Sequence, residues 1–310
     1  MAWAKSFVYY GTSDFSRRIL DGLLKAGIMP ALVVTTQAKP AGRGLQTSLT
    51  PVALLAQTKT LPWLAVKSLK HGLPTEITGT GADFGLLAAF GRILPKELLD
   101  LYRFGIINVH PSVLPKYRGA SPIQSVLLAG EDITGITLIK LDEEVDHGPI
   151  LVQAELKIGD SDALDLEAKL AEMAVAKLIQ TMPAYLAGTK SLQAQDHTAA
   201  TFTKQITRED GWADFSLPAF VLNNKRRAFT SWPGLWTSWQ GKRLKLIATQ
   251  PAVASLRVGE VGLSNGLVAV GCGQGSALII KSLQLADGKT QPGQDFINGH
   301  KNFIGSQLPS

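Results

Sequence analysis

Short apolar, often β-branched runs alternate with amphipathic stretches through the first two thirds of the chain. Ser6–Tyr10 and Ala31–Thr36 read as buried strands. Between them, Ser13 is placed to cap a helix that carries Phe15, Ile19, Leu20, Leu23 and Leu24 on one face and ends at Gly27. Thr50-Pro51 supplies an N-cap and a first-turn proline for a helix through Ala56. Phe84–Phe90 is a strand and Pro95–Leu101 a short helix. Ile106–His110 is a strand that must stop at Pro111, because proline cannot donate to a sheet ladder. Ser121–Leu128 is helical and closed by Gly130. Strands follow at Gly135–Leu141 and Ile150–Ile158, then a long helix over Asp160–Leu186 with Leu164, Leu166, Leu170, Met173, Ala174, Leu178 and Ile179 at helical spacing. The alternation predicts an open α/β sheet. Its β-turn-α-β opening is of mononucleotide type and lacks G-x-G-x-x-G, which argues against a dinucleotide site.

The pattern then changes. Gly188–Thr207 is polar and reads as an interdomain linker. Ser216–Phe229 is a helix carrying Lys225, Arg226 and Arg227. Beyond it the chain is strand-like: Leu235–Gln240, Arg243–Thr249, Gly259–Val270 folded at Asn265-Gly266, and Ala277–Leu285. Asn-Gly between apolar runs is a strong hairpin signal. Five or so strands and one helix suit a small closed barrel of OB type, a fold that often binds nucleic acids. The boundaries expected are 1–189 for the α/β domain, 190–207 for the linker and 208–310 for the barrel.

A length of 310 residues accommodates two such domains, and 45% hydrophobic with 18% charged residues suits a globular protein with a real core. The apolar runs fall short of a membrane span, and the first residues run straight into a strand, so a cytoplasmic location is expected. Cys272 is the single cysteine, which excludes an internal disulfide framework and a cysteine-rich zinc site. The five histidines show no metal-ligand spacing, so no metal is expected. Charge changes the picture more. Up to Thr207 there are 20 Lys and Arg against 19 Asp and Glu, and from Arg208 onward 11 against 6. The positive excess therefore lies in the C-terminal third, which favours a polyanionic partner such as nucleic acid.

Candidate chemistry gathers at Gly105–Gly119. Asn108 and His110 are two apart on a strand, so an amide and an imidazole project from one face at its carboxyl end, where open α/β sheets bind ligands. The Ser112-Val113-Leu114-Pro115 turn follows and offers backbone groups. Asp146 is pressed against a Gly148-Pro149 bend and is the inward-pointing member of an otherwise solvated acidic turn. A carboxylate near His110 would orient the imidazole. In the loop from Gln37 to Thr50, Gly42 and Gly44 flank Arg43, which suits a basic finger that settles on a phosphate backbone.

These residues reach a family. N-x-H-x-S-x-L-P-x-Y-R-G at Asn108–Gly119, with Asp146-x-Gly148, resembles the folate-dependent formyltransferases. Gly11-Thr12-Ser13-Asp14-Phe15, Pro40-Ala41-Gly42-Arg43-Gly44, Phe90-Gly91-Arg92-Ile93-Leu94-Pro95, and Arg227-Ala228-Phe229 with Trp232-Pro233 are similar to the branch that acts on charged initiator tRNA. The resemblance implies a Rossmann-like formyltransferase domain followed by an OB-like β-barrel domain, acting as a monomer. It implies that the formyl group of 10-formyltetrahydrofolate passes to the α-amine of initiator methionyl-tRNA. Asn108 and His110 would stabilise the oxyanion, and Asp146 would assist proton transfer. Phe90, Gly91, Ile93, Leu94 and Val145, with Ser112, Val113, Leu114 and Pro115, would line the folate site. Arg43, Lys225, Arg226 and Arg227 would meet tRNA. Three features depart from the family pattern: Ser13 in place of proline, His147 in place of a small residue, and Leu45-Gln46 where lysines are common. A formyltransferase acting on a small amine, a purine precursor or an amino sugar, would share Asn108, His110 and Asp146 but need no basic finger. A non-catalytic RNA-binding module is the other alternative.

Overall fold

A computed structural model describes residues 3–41 and 46–309. The chain opens on β1 (Phe7–Gly11), buried along its whole length. Ser13 caps α1 (Asp14–Lys25) by accepting the Ser16 N–H at 3.3 Å, and Gly27 takes the left-handed φ of 75° just past its end. β2 (Leu32–Thr36) lies parallel to β1. β3 (Lys39–Ala41) and β4 (Gln46–Ser48) pair antiparallel where composition alone reads a loop; Arg43 lies outside the described residues. Thr50 caps α2 (Pro51–Thr58) through the Ala53 N–H at 3.0 Å. β5 (Trp63–Val66), α3 (Thr75–Thr78), β6 (Phe84–Ala88) and α4 (Lys96–Leu99) lead to β7 (Ile106–His110), which has the bounds that Pro111 dictates. Then come β8 (Arg118–Gly119), α5 (Pro122–Ala129), β9 (Ile133–Lys140), β10 (Ile150–Lys157), α6 (Ala163–Leu186) and β11 (Phe202–Thr203).

Two units emerge. The first comprises Met1–Pro122, Ile133–Lys157 and Glu167–Lys204; the second comprises Ile123–Asp132, Ile158–Leu166 and Gln205–Ser310. The first holds a seven-stranded sheet in the order β10-β9-β7-β6-β1-β2-β5. From β7 to β5 the strands are parallel, and all residues of β1, β2, β6 and β7 are buried, as expected of a sheet covered on both faces. Chain order reverses between β1 and β6, which makes that pair the topological switch point. The loops leaving these two strands are tied together there, with Thr12 Oγ1 donating to the Phe90 carbonyl at 2.9 Å. β9 is antiparallel to β7, and β10 to β9, so a direct loop, residues 141–149, joins that last pair.

The second unit holds α7 (Ala219–Ala228) and an antiparallel sheet of β12 (Leu235–Trp239), β13 (Lys242–Val253), β14 (Val261–Ser264), β15 (Leu267–Gly271), β16 (Ser276–Leu285) and β17 (Gln291–Pro292), followed by α8 (Gly293–Gly299). Two-residue turns join β12 to β13 and β14 to β15. Their central residues, Gln240-Gly241 and Asn265-Gly266, have φ of 49° and 72°, and 47° and 77°. Positive φ at both central positions is the twist-matched hairpin turn that Asn-Gly signals. The core packs Trp239, Phe296 and Phe303 edge to face, with centroids 4.9–5.6 Å apart. The sequence pattern anticipates this antiparallel sheet and α7, and leaves out β17 and α8.

Cys272 lies in that core, and burial pushes its thiol up to about 12. Because the thiolate is the reactive form, the native protein at pH 8 should resist a disulfide reagent and become fully reactive on unfolding in urea. Prompt reaction of the native protein would contradict the packing.

Candidate active site

β7 delivers the first two residues. Asn108 and His110 occupy alternate positions and are buried, at 6% and 4% exposure. The 141–149 loop delivers the third. Asp146 sits at φ 49°, left-handed for a non-glycine residue. Its Oδ1 accepts Asn108 Nδ2 at 3.2 Å and lies 3.5 Å from His110 Nδ1, and its Oδ2 accepts the Gly119 amide at 2.8 Å. His110 Nε2 is 2.9 Å from the Tyr117 carbonyl, which can only accept, so Nε2 carries the proton and Nδ1 faces the carboxylate. An amide, an imidazole and a carboxylate thus converge at the carboxyl end of β7.

The glycines of the motif follow from space. A Cβ on Gly148 would fall 1.9 Å from the Lys140 carbonyl, and one on Gly119, at φ 106°, would meet the Thr203 carbonyl at 2.9 Å. Gly148 lets the loop close against the end of β9; Gly119 lets its amide reach Asp146. His147, the departure between Asp146 and Gly148, points away from the carboxylate chemistry. Its ring lies flat on His197, 3.9 Å away at 6°, and its Nδ1 is 2.7 Å from Asp142 Oδ2.

The turn after β7 is internally braced. Ser112 Oγ donates to the Lys116 carbonyl at 2.7 Å, Leu114 N–H donates to Thr137 Oγ1 at 3.1 Å, and the Leu114 carbonyl accepts Gln153 Nε2 at 2.6 Å. The backbone groups of Leu114 therefore serve the scaffold. Leu141 packs both with Phe90 and Leu94 and with Leu114, so the loop after β6 and the turn after β7 share one apolar floor. Ile93 of the loop after β6 stays 70% exposed, and Val145 of the loop after β9 stays 64% exposed. Gly91 follows Phe90 at φ 70°. Among the described residues no His, Cys, Asp and Glu group could hold a metal ion, and no helix is long and apolar enough to cross a membrane.

Residues 5–182 match the formyl transferase family, and residues 205–301 match the formyl transferase C-terminal domain. The chain belongs to the formyl transferase family. A protein of Acidobacterium capsulatum named methionyl-tRNA formyltransferase is 39% identical over 298 residues, covering 94% of this chain and 96% of its own. Among solved structures, an N-formyltransferase of Helicobacter canadensis in complex with folinic acid and dTDP-3-aminofucose superposes with a TM-score of 0.64 at 17% identity, over 89% of this chain and 98% of its own. Methionyl-tRNA formyltransferase from Clostridium thermocellum superposes with a TM-score of 0.56 at 14% identity, over 92% and 100%. These two likenesses concern the fold: a parallel-sheet formyl transferase domain followed by an antiparallel-sheet domain.

The remaining sequence candidates of this formyl transferase lie on α7. Lys225 Nζ donates to the Trp212 carbonyl at 2.6 Å, and Arg227 Nε to the Ser161 carbonyl at 3.0 Å, with its NH2 on Gly159. Arg226 is half-buried, and burial pulls its guanidinium below the ordinary value. Sequence reasoning passed over the groups that hold the convergent set from outside: Tyr117, the Gly119 amide, Gln195 and Thr201. The glycine after Tyr117-Arg118 is the one sequence signal that points toward them.

A Gly148→Ala formyl transferase should lose about 1–3 kcal/mol, the usual cost of overpacking, because the new methyl must displace the loop from Lys140. Urea unfolding measures it, and an unchanged midpoint would mean that the loop does not close as described.

Proposed function

We propose that this chain transfers the formyl group of 10-formyltetrahydrofolate to the α-amino group of initiator methionyl-tRNA. The observation that carries the chemistry is the convergence of Asn108, His110 and Asp146 at the end of β7. The choice of amine follows the curated relatives, named methionyl-tRNA formyltransferase along nearly the full chain.

The amine nitrogen attacks the formyl carbon, forming a C–N bond and a tetrahedral oxyanion. Collapse breaks the bond to the donor nitrogen, which leaves with a proton, and the attacking nitrogen loses one. Asn108 has two amide hydrogens and spends one on Asp146, so the second can meet the oxyanion, and His110 joins it by sharing its Nε2–H between the Tyr117 carbonyl and the oxyanion. Asp146, within 3.5 Å of His110 Nδ1, is the base that takes the amine's proton. No covalent enzyme intermediate is needed. Ile93, Leu94 and Val145 are the proposed apolar contacts of the pterin, over the floor that holds Phe90 and Leu114, with Gly91, Ser112, Val113 and Pro115 in the loop after β6 and the turn after β7. Arg43, Lys225, Arg226 and Arg227 are the proposed tRNA contacts. The charges of the α7 residues persist while Lys225 and Arg227 rest on carbonyls, and they add to a field that attracts a polyanion.

Purified protein given 10-formyltetrahydrofolate should formylate charged initiator tRNA and leave a purine precursor or a nucleotide amino sugar untouched. Turnover on either small amine, with none on tRNA, would overturn the choice of acceptor. Asp146→Asn keeps shape and removes one charge, and should lower kcat by about 10²–10⁴-fold while tRNA affinity stays near parental. Parental turnover in that protein would remove Asp146 from the mechanism.

Arg43 is tested separately. Arg43→Ala should raise the KM for charged tRNA and lower kcat, Arg43→Lys should recover part of the loss because lysine lacks the planar fork, and the KM for the folate should not move. Equal rates for Arg43→Ala and the parent at subsaturating tRNA would leave Arg43 without a role.

A further inference from the structure

The polar run after α6 is built along the site. Gln193 and Ile150 exchange two backbone hydrogen bonds, at 2.8 and 2.7 Å. Two residues on, the amide of Gln195, 6% exposed, is fully oriented. Its Nε2 donates to the Asp146 carbonyl at 2.9 Å and the Gly148 carbonyl at 2.7 Å, and its Oε1 accepts Arg118 NH2 at 2.7 Å. The same NH2 is 2.9 Å from His197 Nδ1, and His197 stacks on His147. Thr201 performs the matching task on the other loop. Its Oγ1 accepts the Tyr117 N–H at 2.8 Å, and its carbonyl accepts the Arg118 N–H at 2.8 Å. Thr203 Oγ1 then accepts the Ser121 N–H at 3.1 Å, and the Lys204 carbonyl accepts Ser121 Oγ at 2.9 Å.

The two gripped peptides have something in common. Asp146, at φ 49°, and Tyr117, at φ 62°, are non-glycine residues in the left-handed region. Such conformations persist where surrounding contacts hold them. Each bears directly on the convergent set: Asp146 supplies the carboxylate, and the Tyr117 carbonyl fixes the His110 ring.

We propose that Gln195 and Thr201 are positioning residues, Gln195 for the Asp146 carboxylate and Thr201, through the Tyr117 carbonyl, for the His110 imidazole. The inference rests on the catalytic reading of Asn108, His110 and Asp146. It assigns the segment 193–204 a role in the chemistry that composition alone gives to a linker. The segment joins the loop after β9 to the turn after β7, so the distance between His110 and Asp146 is set by a third stretch of chain. Misplacement of about 1 Å at reacting groups costs on the order of 10²-fold in rate.

The test uses the full-length protein and four variants. Thr201 is exposed, so Thr201→Val removes the hydroxyl at little cost to folding, and Thr201→Ser keeps it. Gln195→Met keeps the length of the side chain without the amide, and Asp146→Asn is the reference. Thr201→Val should lower kcat about tenfold and Gln195→Met about 10–100-fold, within the misplacement range. KM for tRNA and folate should move less than about twofold, and Thr201→Ser should restore most of the loss. Parental kcat in Thr201→Val and Gln195→Met, beside an inactive Asp146→Asn, overturns the positioning role alone. A loss in Thr201→Val that serine does not restore, and that follows a fall in melting temperature, overturns it as well. Full turnover by Asp146→Asn overturns the catalytic reading and this inference with it.

Discussion

A carboxylate taken largely out of water must find donors or give up its charge. The Asp146 side chain is 12% exposed, and its two oxygens are met by the Gly119 amide and the Asn108 side chain. Those donors constrain the sequence around them. For the Gly119 amide to reach Oδ2, the backbone there runs at φ 106° against Thr203, where a Cβ does not fit. For Asp146 to reach β7, its loop must close against Lys140, which admits only glycine at position 148. Asn108 is held by the sheet. The scattered glycines and polar residues of the motif are thus consequences of holding one anion in one place.

The sheet explains how a loop so far along the chain arrives there. In a wholly parallel doubly wound sheet each strand hands the chain to a helix, and residues following a strand leave at its carboxyl end. Here β9 and β10 run antiparallel at one edge, and a nine-residue loop, 141–149, joins them directly. β9 lies beside β7 with Thr137 opposite His110. The same Thr137 accepts the Leu114 amide and donates to the Ser112 carbonyl at 2.7 Å. One buried hydroxyl therefore ties the turn after β7 to the strand that launches the Asp146 loop, and the sheet fixes where the two loops begin.

What the sequence made legible follows from the range of the forces involved. Pro111 ends β7 by local chemistry, so its boundary could be read to the residue. Ser13 and Thr50 cap their helices through bonds three residues long, and Asn265-Gly266 folds its hairpin through two dihedral angles. Asn108 and His110 were visible through the two-residue period of a strand. Gln195 and Thr201 were not, because they act by hydrogen bonds to peptides up to 49 and 84 residues away and leave no periodic trace. The β3–β4 pairing was missed for a related reason. Its strands are three residues each, too short for alternation to register.

Charge was legible and its disposition was not. The resemblance has Lys225 and Arg227 meet tRNA, and in the fold both donate to backbone carbonyls of their own unit, Trp212 for one and Gly159 and Ser161 for the other. Such bonds fix where a charge sits without neutralising it. A carbonyl carries no net charge, so the positive excess of the C-terminal third, 11 basic against 6 acidic residues, is still felt at a distance. What the bonds remove is freedom to wrap a phosphate: an arginine whose Nε and NH2 are engaged cannot offer that edge bidentately. A surface of this kind attracts a polyanion through its summed field more than through individual forks. That mode of attraction is screened within roughly 8 Å at physiological salt and carries little sequence information of its own.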